Sequence, residues 1–248
     1  MLLPKPKDAL HRAWLLRILS AIYDDTQLAN ALIFKGGTCA ALRGFLDRFS
    51  VDLDFDCVCE KNELPVVRKK MEKIFVELGL EIKDQSKKVP QYFLEYPAKA
   101  GERNTLKIDV TYPPVKANTS EMVRLSEIAK IAKCQTVETM FANKLVALIE
   151  RFEKNGSIAG RDVYDIHHFF LQGFRYDEKV ILERRKEKVE KFLQDLIEFI
   201  EKQVTETIIN QDLNLLLEHS QFQKIRKHLK NETLMFLKNE LGNLKFKK

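Results

Sequence analysis

No run in this 248-residue chain approaches the ~20 consecutive apolar residues of a membrane-spanning helix. The opening, Met1-Leu2-Leu3-Pro4-Lys5, lacks the apolar core of a secretory signal. There are no internal repeats and no low-complexity segments. Cysteine is scarce: Cys39, Cys57, Cys59 and Cys134 are too few and too irregularly spaced for a disulfide framework. Cys57-Val58-Cys59 could be half of a metal site, but no second Cys or His pair at ligand spacing completes it, and ordinary buried thiols are the plainer reading. Together these absences predict a cytoplasmic protein with no membrane business.

What is present describes a soluble globular chain. Hydrophobic residues make up 45% and charged residues 31% of it, which excludes disorder, and the length suits one large domain or two small ones. The net charge of +6 is concentrated at one end. From Gln221 onward lie eight basic residues (Lys224, Arg226, Lys227, Lys230, Lys238, Lys245, Lys247 and Lys248) and two acidic ones (Glu232 and Glu240). That tail accounts for the whole excess. Such a segment can meet nucleic acid phosphates, or it can be the solvated face of a helix.

The periodicities predict an α/β (α+β) chain in two parts. Residues 6–23 have helical spacing, with Leu10, Trp14, Leu15 and Ile18 on one stripe. Leu32-Ile33-Phe34 is a short apolar strand that stops at Gly36-Gly37, and a small-residue helix follows from Thr38 to Leu46. Residues 50–57 alternate, with Val51, Leu53 and Phe55 on one face and Asp52, Asp54 and Asp56 on the other. A helix over 64–79 precedes three strand-like runs, 80–86, 91–96 and 104–112, and Pro113-Pro114 ends the last. Residues 121–133 are ambiguous. Helical periods then fill 137–152, 161–172, 178–204, 205–218 and 222–241, the last closing near Gly242. The expectation is an N-terminal mixed β-sheet core flanked by helices over 1–118, and a C-terminal helical bundle over 119–248.

Asp52 and Asp54 leave one face of one strand, their Cα atoms about 6–7 Å apart on the ~3.3 Å rise. Asp109, alternating with Ile108 and Val110, is a third strand-borne acid. If the strands are neighbours, each like-charged pair ~4 Å apart costs about 4 kcal/mol at an effective dielectric near 20. A divalent cation such as Mg²⁺ removes that cost and brings phosphate oxygens with it. A sheet with one wet face would produce the same spacing for nothing. The upstream context favours the chemistry. Phe34-Lys35-Gly36-Gly37-Thr38 lies between a strand and a helix, where paired glycines let backbone approach a phosphate. Thirteen residues separate Thr38 from Asp52, enough for a helix and a return to a neighbouring strand.

In the helical half, Lys144 lies beside the apolar stripe of Val137, Met140, Phe141, Leu145, Leu148 and Phe152, with Arg151 seven residues on along the same side. Two bases on one helical edge suit a triphosphate, and equally suit snorkelling at a helix boundary. Asp162 and Asp165 are one turn apart, and Arg161 stands four before Asp165, so an internal Arg–Asp pair is the plain account. His167-His168, in an apolar stretch, reads as helix packing.

These residues resemble the polymerase-β-like nucleotidyltransferase superfamily, and more closely the abortive-infection AbiEii-like toxins. The resemblance rests on Lys35-Gly36-Gly37-Thr38 followed by Arg48-Phe49-Ser50-Val51-Asp52-Leu53-Asp54-Phe55. Two weaker elements, Lys144 to Arg151 and Arg161-Asp162-Val163-Tyr164-Asp165-Ile166, come in family order, and the likeness spans residues 30–172. The chain departs from the pattern at Arg161, where a lysine is usual, at Ala159, where an arginine is frequent, and at Leu148, where a base is expected.

The resemblance implies an enzyme that moves a nucleotide from an NTP to an RNA acceptor, such as a tRNA 3′ end, and a cognate antitoxin as partner. It implies a two-metal site for Mg²⁺, with Mn²⁺ as a substitute, on Asp52, Asp54 and Asp109. Asp109 would serve as general base, and Lys144 and Asp162 would complete the catalytic set. It places Lys35, Gly36, Gly37, Thr38, Arg48, Ser50, Arg151 and Arg161 at the nucleotide, and makes the basic tail an RNA-docking surface. Two alternatives stand beside this reading: nucleotidylation of a protein hydroxyl, and a non-catalytic binding module that kept the fold.

Overall fold

The computed structural model describes residues 5, 6, 8–99 and 101–246. Their contacts divide the chain into two compact units, Met1–Pro114 with Thr119–Thr136, and Val115–Asn118 with Val137–Lys248.

The first unit is a seven-stranded mixed sheet with helices. In chain order it comprises α1 (Asp8–Asp24), α2 (Thr26–Ala31), β1 (Leu32–Lys35), α3 (Gly36–Leu42), β2 (Asp52–Cys57), α4 (Leu64–Glu77), β3 (Glu81–Gln85), β4 (Gln91–Glu95), β5 (Thr105–Thr111), β6 (Ser120–Leu125) and β7 (Lys130–Gln135). The strand order is β3-β4-β5-β2-β1-β7-β6. Strands β2 and β5 run parallel, as do β1 and β7, and the other neighbours are antiparallel.

The predicted alternation is realised. Leu53 and Phe55 share one face with Phe34, Tyr92, Leu94, Ile108 and Val110, all buried. Helices α1 and α4 pack there: Trp14 stacks on Tyr96 with ring centroids 5.7 Å apart, and Phe75 meets Tyr92 edge-on at 5.0 Å. Each such side chain contributes about 1.5–3 kcal/mol of transfer free energy. Local signals set the helix ends. The Asp25 carboxylate caps α2 by accepting from the Gln27 and Leu28 amides at 2.9 and 3.0 Å. Pro65 stands in the first turn of α4.

The sheet reaches further along the chain than expected. The ambiguous stretch 121–133 forms most of the hairpin β6–β7, whose strands pair from Ser120 with Gln135 to Leu125 with Lys130. The sheet unit therefore resumes after residue 118 and runs to Thr136. Strand β6 lies at the sheet edge, and Met122 and Ile131 stay exposed, so the hairpin has no clean alternation to announce it.

The second unit is helical: α5 (Val137–Asn155), α6 (Gly160–Leu171), α7 (Glu178–Arg185), α8 (Val189–Gln203), α9 (Glu206–Leu213), α10 (His219–Ile225) and α11 (Leu229–Phe246). The single helix expected over 178–204 breaks at Lys186, which takes a left-handed conformation (φ 57°) and caps α7. The helix expected over 222–241 is likewise two helices, and α11 runs through Gly242 to Phe246. Phe222, Leu229 and Leu237 of the tail are buried, and Phe236 of α11 stacks on Phe170 of α6 at 5.8 Å. His167 donates to the Glu232 carboxylate (2.8 Å) and lies edge-on to Phe236, and His168 stacks on Tyr164. Both histidines pack, as expected.

Candidate active site

The site is built on the polar face of the first unit's sheet. Antiparallel pairing sets Lys35 opposite Asp54 across β1 and β2. Parallel pairing sets Asp52 beside Lys107, Asp54 beside Asp109 and Asp56 beside Thr111. Paired residues on neighbouring strands share a face, with Cα atoms about 4.8 Å apart. The patch carried by β1, β2 and β5 thus holds four carboxylates, Asp52, Asp54, Asp56 and Asp109, against two lysines, Lys35 and Lys107. The expected juxtaposition of Asp109 with Asp54 is present at the backbone.

The glycine turn fits around this patch. Gly36 has φ +75°, and a β-carbon there would lie 2.8 Å from both Cβ and Cγ of Asp54 and nearer still to its carboxylate oxygen. A β-carbon on Gly37 would lie 2.8 Å from the Arg48 guanidinium and 2.9 Å from the Ser50 hydroxyl. These glycines therefore admit side chains of their own unit. The Thr38 hydroxyl donates to the Asp52 carbonyl at 2.5 Å and is fully buried. Arg48 is buried and donates to the Phe49 carbonyl at 2.8 Å. Thr38, Arg48 and Ser50, expected at the nucleotide, are buried beside the glycine turn, and Thr38 ties that turn to β2.

Two polar pairings that the sequence did not signal complete the face. Lys35 donates to the Asp56 carboxylate at 2.6 Å and to the Thr111 hydroxyl at 2.6 Å. Gln135 of β7 donates to the other Asp56 oxygen at 2.6 Å, so this carboxylate is buried but satisfied. Lys107 pairs with Asp109. Arg43 ties α3 to β7 and β6, donating to the Gln135 carbonyl and the Glu121 carboxylate, both at 2.5 Å. Beneath β2, His11 is buried, hydrogen-bonded to the Tyr96 hydroxyl at 2.7 Å and the Val51 carbonyl at 2.9 Å. Burial drives its pKa down to about 4 against the help of the Val51 carbonyl, so its ring is neutral.

The metal expectation meets these pairings. Among the described residues, no group of three or more His, Cys, Asp or Glu side chains is gathered to hold a metal ion. The reason is visible: Asp109 is drawn to Lys107, and Asp56 to Lys35 and Gln135. The donors themselves suit a hard divalent cation, being carboxylates at adjacent register positions on one face. Asp52, Asp54 and Asp109 are the donors that this face offers to such an ion.

The remaining expected residues form a second cluster in the helical unit. Lys144 donates to Asp162 at 2.7 Å and pairs with Asp165 at 2.9 Å, and Arg151 reaches the other Asp162 oxygen at 3.4 Å. Both aspartates are fully buried. Burial would raise the Asp162 pKa, but Lys144 and then Arg151 outweigh it and hold the carboxyl below its usual range. Asp162, expected in the catalytic set, grips Lys144. The Arg161 backbone amide donates to Asp212 at 3.4 Å.

In the tail, Lys230 donates to the Glu201 and Val204 carbonyls at 3.0 and 2.7 Å, and Lys238 pairs with Glu201 at 2.7 Å. Lys224, Lys227 and Lys245 are exposed, and Lys247 and Lys248 lie outside the described residues. Among the described residues no helix is long and apolar enough to cross a membrane.

Comparison with known proteins agrees with this fold. No curated protein sequence gives a significant match. Two solved structures from Helicobacter pylori share the fold. One, described as a candidate nucleotidyltransferase, is 19% identical with a TM-score of 0.64, over 98% of this chain and 99% of that one. The other, JHP933, is 19% identical with a TM-score of 0.58, over 98% and 95%. The sequence model of the family described as "Nucleotidyl transferase AbiEii toxin, Type IV TA system" matches residues 17–232. With that match over most of its length, the chain belongs to the AbiEii nucleotidyltransferase toxin family.

Proposed function

We propose that this nucleotidyltransferase acts as a toxin by transferring a nucleotide from an NTP to an RNA hydroxyl, a tRNA 3′ end being the acceptor of choice, under the control of a cognate antitoxin. The observation that carries the reading is the pairing of Asp54 with Asp109 on the face shared with Asp52, with Asp54 seated on the Gly36 turn. The family match supports the class of reaction.

In this reading Mg²⁺, or Mn²⁺ in its place, would be held by Asp52, Asp54 and Asp109 and would supply charge neutralisation for the triphosphate and activation of the attacking hydroxyl. The chain's own residues do the positioning. Gly36 leaves room for the Asp54 carboxylate, and Thr38 anchors the Asp52 backbone. Asp109 is the proton acceptor for the attacking hydroxyl. Lys107 is the counter-charge it leaves when it does so. Asp56 steadies Lys35 beside Asp54, where its ammonium favours phosphate oxygens. Asp162 and Asp165 hold Lys144, whose side chain keeps 19% exposure.

Incubation with each labelled NTP, Mg²⁺ and either total RNA or cell lysate tests the proposal. Label should enter RNA with one nucleotide preferred, and Asp52→Ala should abolish it. Label in protein alone would move the reading to protein nucleotidylation.

A further inference from the structure

Away from the carboxylate face, the end of β2 carries two thiols in contact. The Sγ atoms of Cys57 and Cys59 are 3.1 Å apart, well inside ordinary sulfur–sulfur contact. Cys57 is fully buried on the apolar face that Leu53 and Phe55 share, and Cys59 is partly exposed. The backbone between them is anchored, because Cys57 pairs with Leu32 and the Val58 amide donates to the Ala31 carbonyl at 2.9 Å. Beside Cys59 opens a cavity of about 270 Å³, whose lining includes Gln27, Asn30, Glu63 and Lys70.

This geometry suits a bond between the sulfurs better than a metal between them. Two thiolates on a tetrahedral zinc, with ~2.3 Å bonds, stand about 3.8 Å apart. Here they are closer, and no third ligand joins them among the described residues. A disulfide needs about 2.05 Å, a closure of roughly 1 Å that rotation about the partly exposed Cys59 side chain can supply. The sequence alone left this motif as ordinary thiols; the contact and the cavity are what the fold adds.

We propose that Cys57 and Cys59 form a reversible dithiol–disulfide site served by a small-molecule disulfide of the glutathione type, which reaches Cys59 through the adjoining cavity. The exchange balances in two steps. The Cys59 thiolate attacks one sulfur of the oxidised glutathione, forming a mixed disulfide and releasing one glutathione thiolate. The Cys57 thiolate then attacks the Cys59 sulfur, closing Cys57–Cys59 and releasing the second glutathione. The two protons lost by the cysteines end on the two glutathiones. Gln27 and Asn30 offer amide donors to the carboxylates of the incoming molecule, and Lys70 of the same lining is paired with Asp25 at 2.5 Å. Burial, and then the neighbouring Cys57, raise the Cys59 pKa well above the thiol range. The first step is therefore slow at neutral pH and speeds about tenfold per pH unit as thiolate appears.

The test uses the full chain in oxidised-glutathione buffers, quenched with acid and N-ethylmaleimide and read by peptide mass spectrometry. The expected product is one peptide that carries a Cys57–Cys59 bond and has lost two hydrogens, with Cys39 and Cys134 alkylated only after denaturation. Its rate should climb about tenfold per unit from pH 7 to pH 9. Cys57→Ser should stall at the glutathione adduct on Cys59, and Cys59→Ser should take up no glutathione. Dithiothreitol should restore both thiols in the native chain. A Cys59 that stays free in the native chain, an adduct that persists there unresolved, or a bond from Cys57 to any other cysteine would overturn the proposal.

Discussion

The carboxylate of Asp54 fills the space above Gly36 that a β-carbon would need. Gly36 of the glycine pair is thus, in this chain, a socket for one of its own acids. Gly36→Ala should displace Asp54 and strain a backbone at φ +75°, costing about 1–3 kcal/mol of stability and about a hundredfold or more in transfer rate. Gly44 is the control. Its φ is +77° and nothing lies within 4 Å of an added β-carbon, so Gly44→Ala should show the backbone cost alone and keep its activity. Urea unfolding and labelled-nucleotide transfer on the two variants separate the effects. Equal activities would leave the socket without a function.

Asp52→Asn and Asp54→Asn should each remove transfer by at least about a hundredfold while leaving the melting temperature unchanged or higher. Relief of repulsion on a face with four carboxylates and two lysines is the reason. Calorimetry together with the transfer assay checks this, and an active double variant sinks the mechanism.

Asp56 belongs to the scaffold of the same face. Asp56→Ala would leave Lys35 and the buried Gln135 amide without their carboxylate, and should cost about 3–5 kcal/mol. Asp56→Asn keeps the shape and one acceptor, and should recover at least half of that loss while the nucleotide KM still rises. Chemical denaturation and steady-state kinetics on both variants decide it.

His11 gives the sheet unit a pH dependence. Its folded pKa is about 4 against 6.5 for the exposed ring, so between those values the unfolded chain binds more protons. Stability should therefore fall as pH drops from 6.5 toward 4, by about 3 kcal/mol in total. His11→Gln should flatten that slope in urea titrations across the window. An unchanged slope would assign the acid sensitivity elsewhere.

The tail prediction now rests on three exposed lysines, because Leu229 and Leu237 are buried and deletion would remove packing. Replacing Lys224, Lys227 and Lys245 with Gln should lower the slope of log K for RNA against log salt by about 2 if all three meet phosphates. The melting temperature should not move. An unaltered slope would leave α10 and α11 as packing alone.

Much of this was legible in the residues and some was not. The alternation through Asp52, Leu53, Asp54 and Phe55 exposes strand, faces and acids together, because one side is hydrocarbon and the other water. Asp109 could be read as outward-facing for the same reason. Its neighbour could not be read, since only the β2–β5 register puts it beside Asp54. Nor could the claim of Lys35 on Asp56, which only the β1–β2 register brings about, while Lys107 and Asp109 are same-face neighbours two apart on β5 whose pairing is a choice of rotamer. Thr38 and Arg48 sat in a motif that suggested phosphate, and their burial, with the bond from Thr38 to the Asp52 carbonyl, could not be read from it. The break at Lys186 carried no signal, because neither Gly nor Pro marks it, and the hairpin over 121–133 lies at an edge where exposed Met122 and Ile131 erase the period.

The parallel pairing of β2 with β5 ties chemistry to folding in a way that leaves little room for drift. A slip of one residue would seat Ile108 or Val110 beside Asp54 and turn Asp109 toward Leu53 and Phe55. The same error would bring Leu106 and Ile108 into water. A chain that misaligned its acids would therefore also forfeit its hydrocarbon interior, and selection for a folded sheet guards the alignment even where catalysis is not under test.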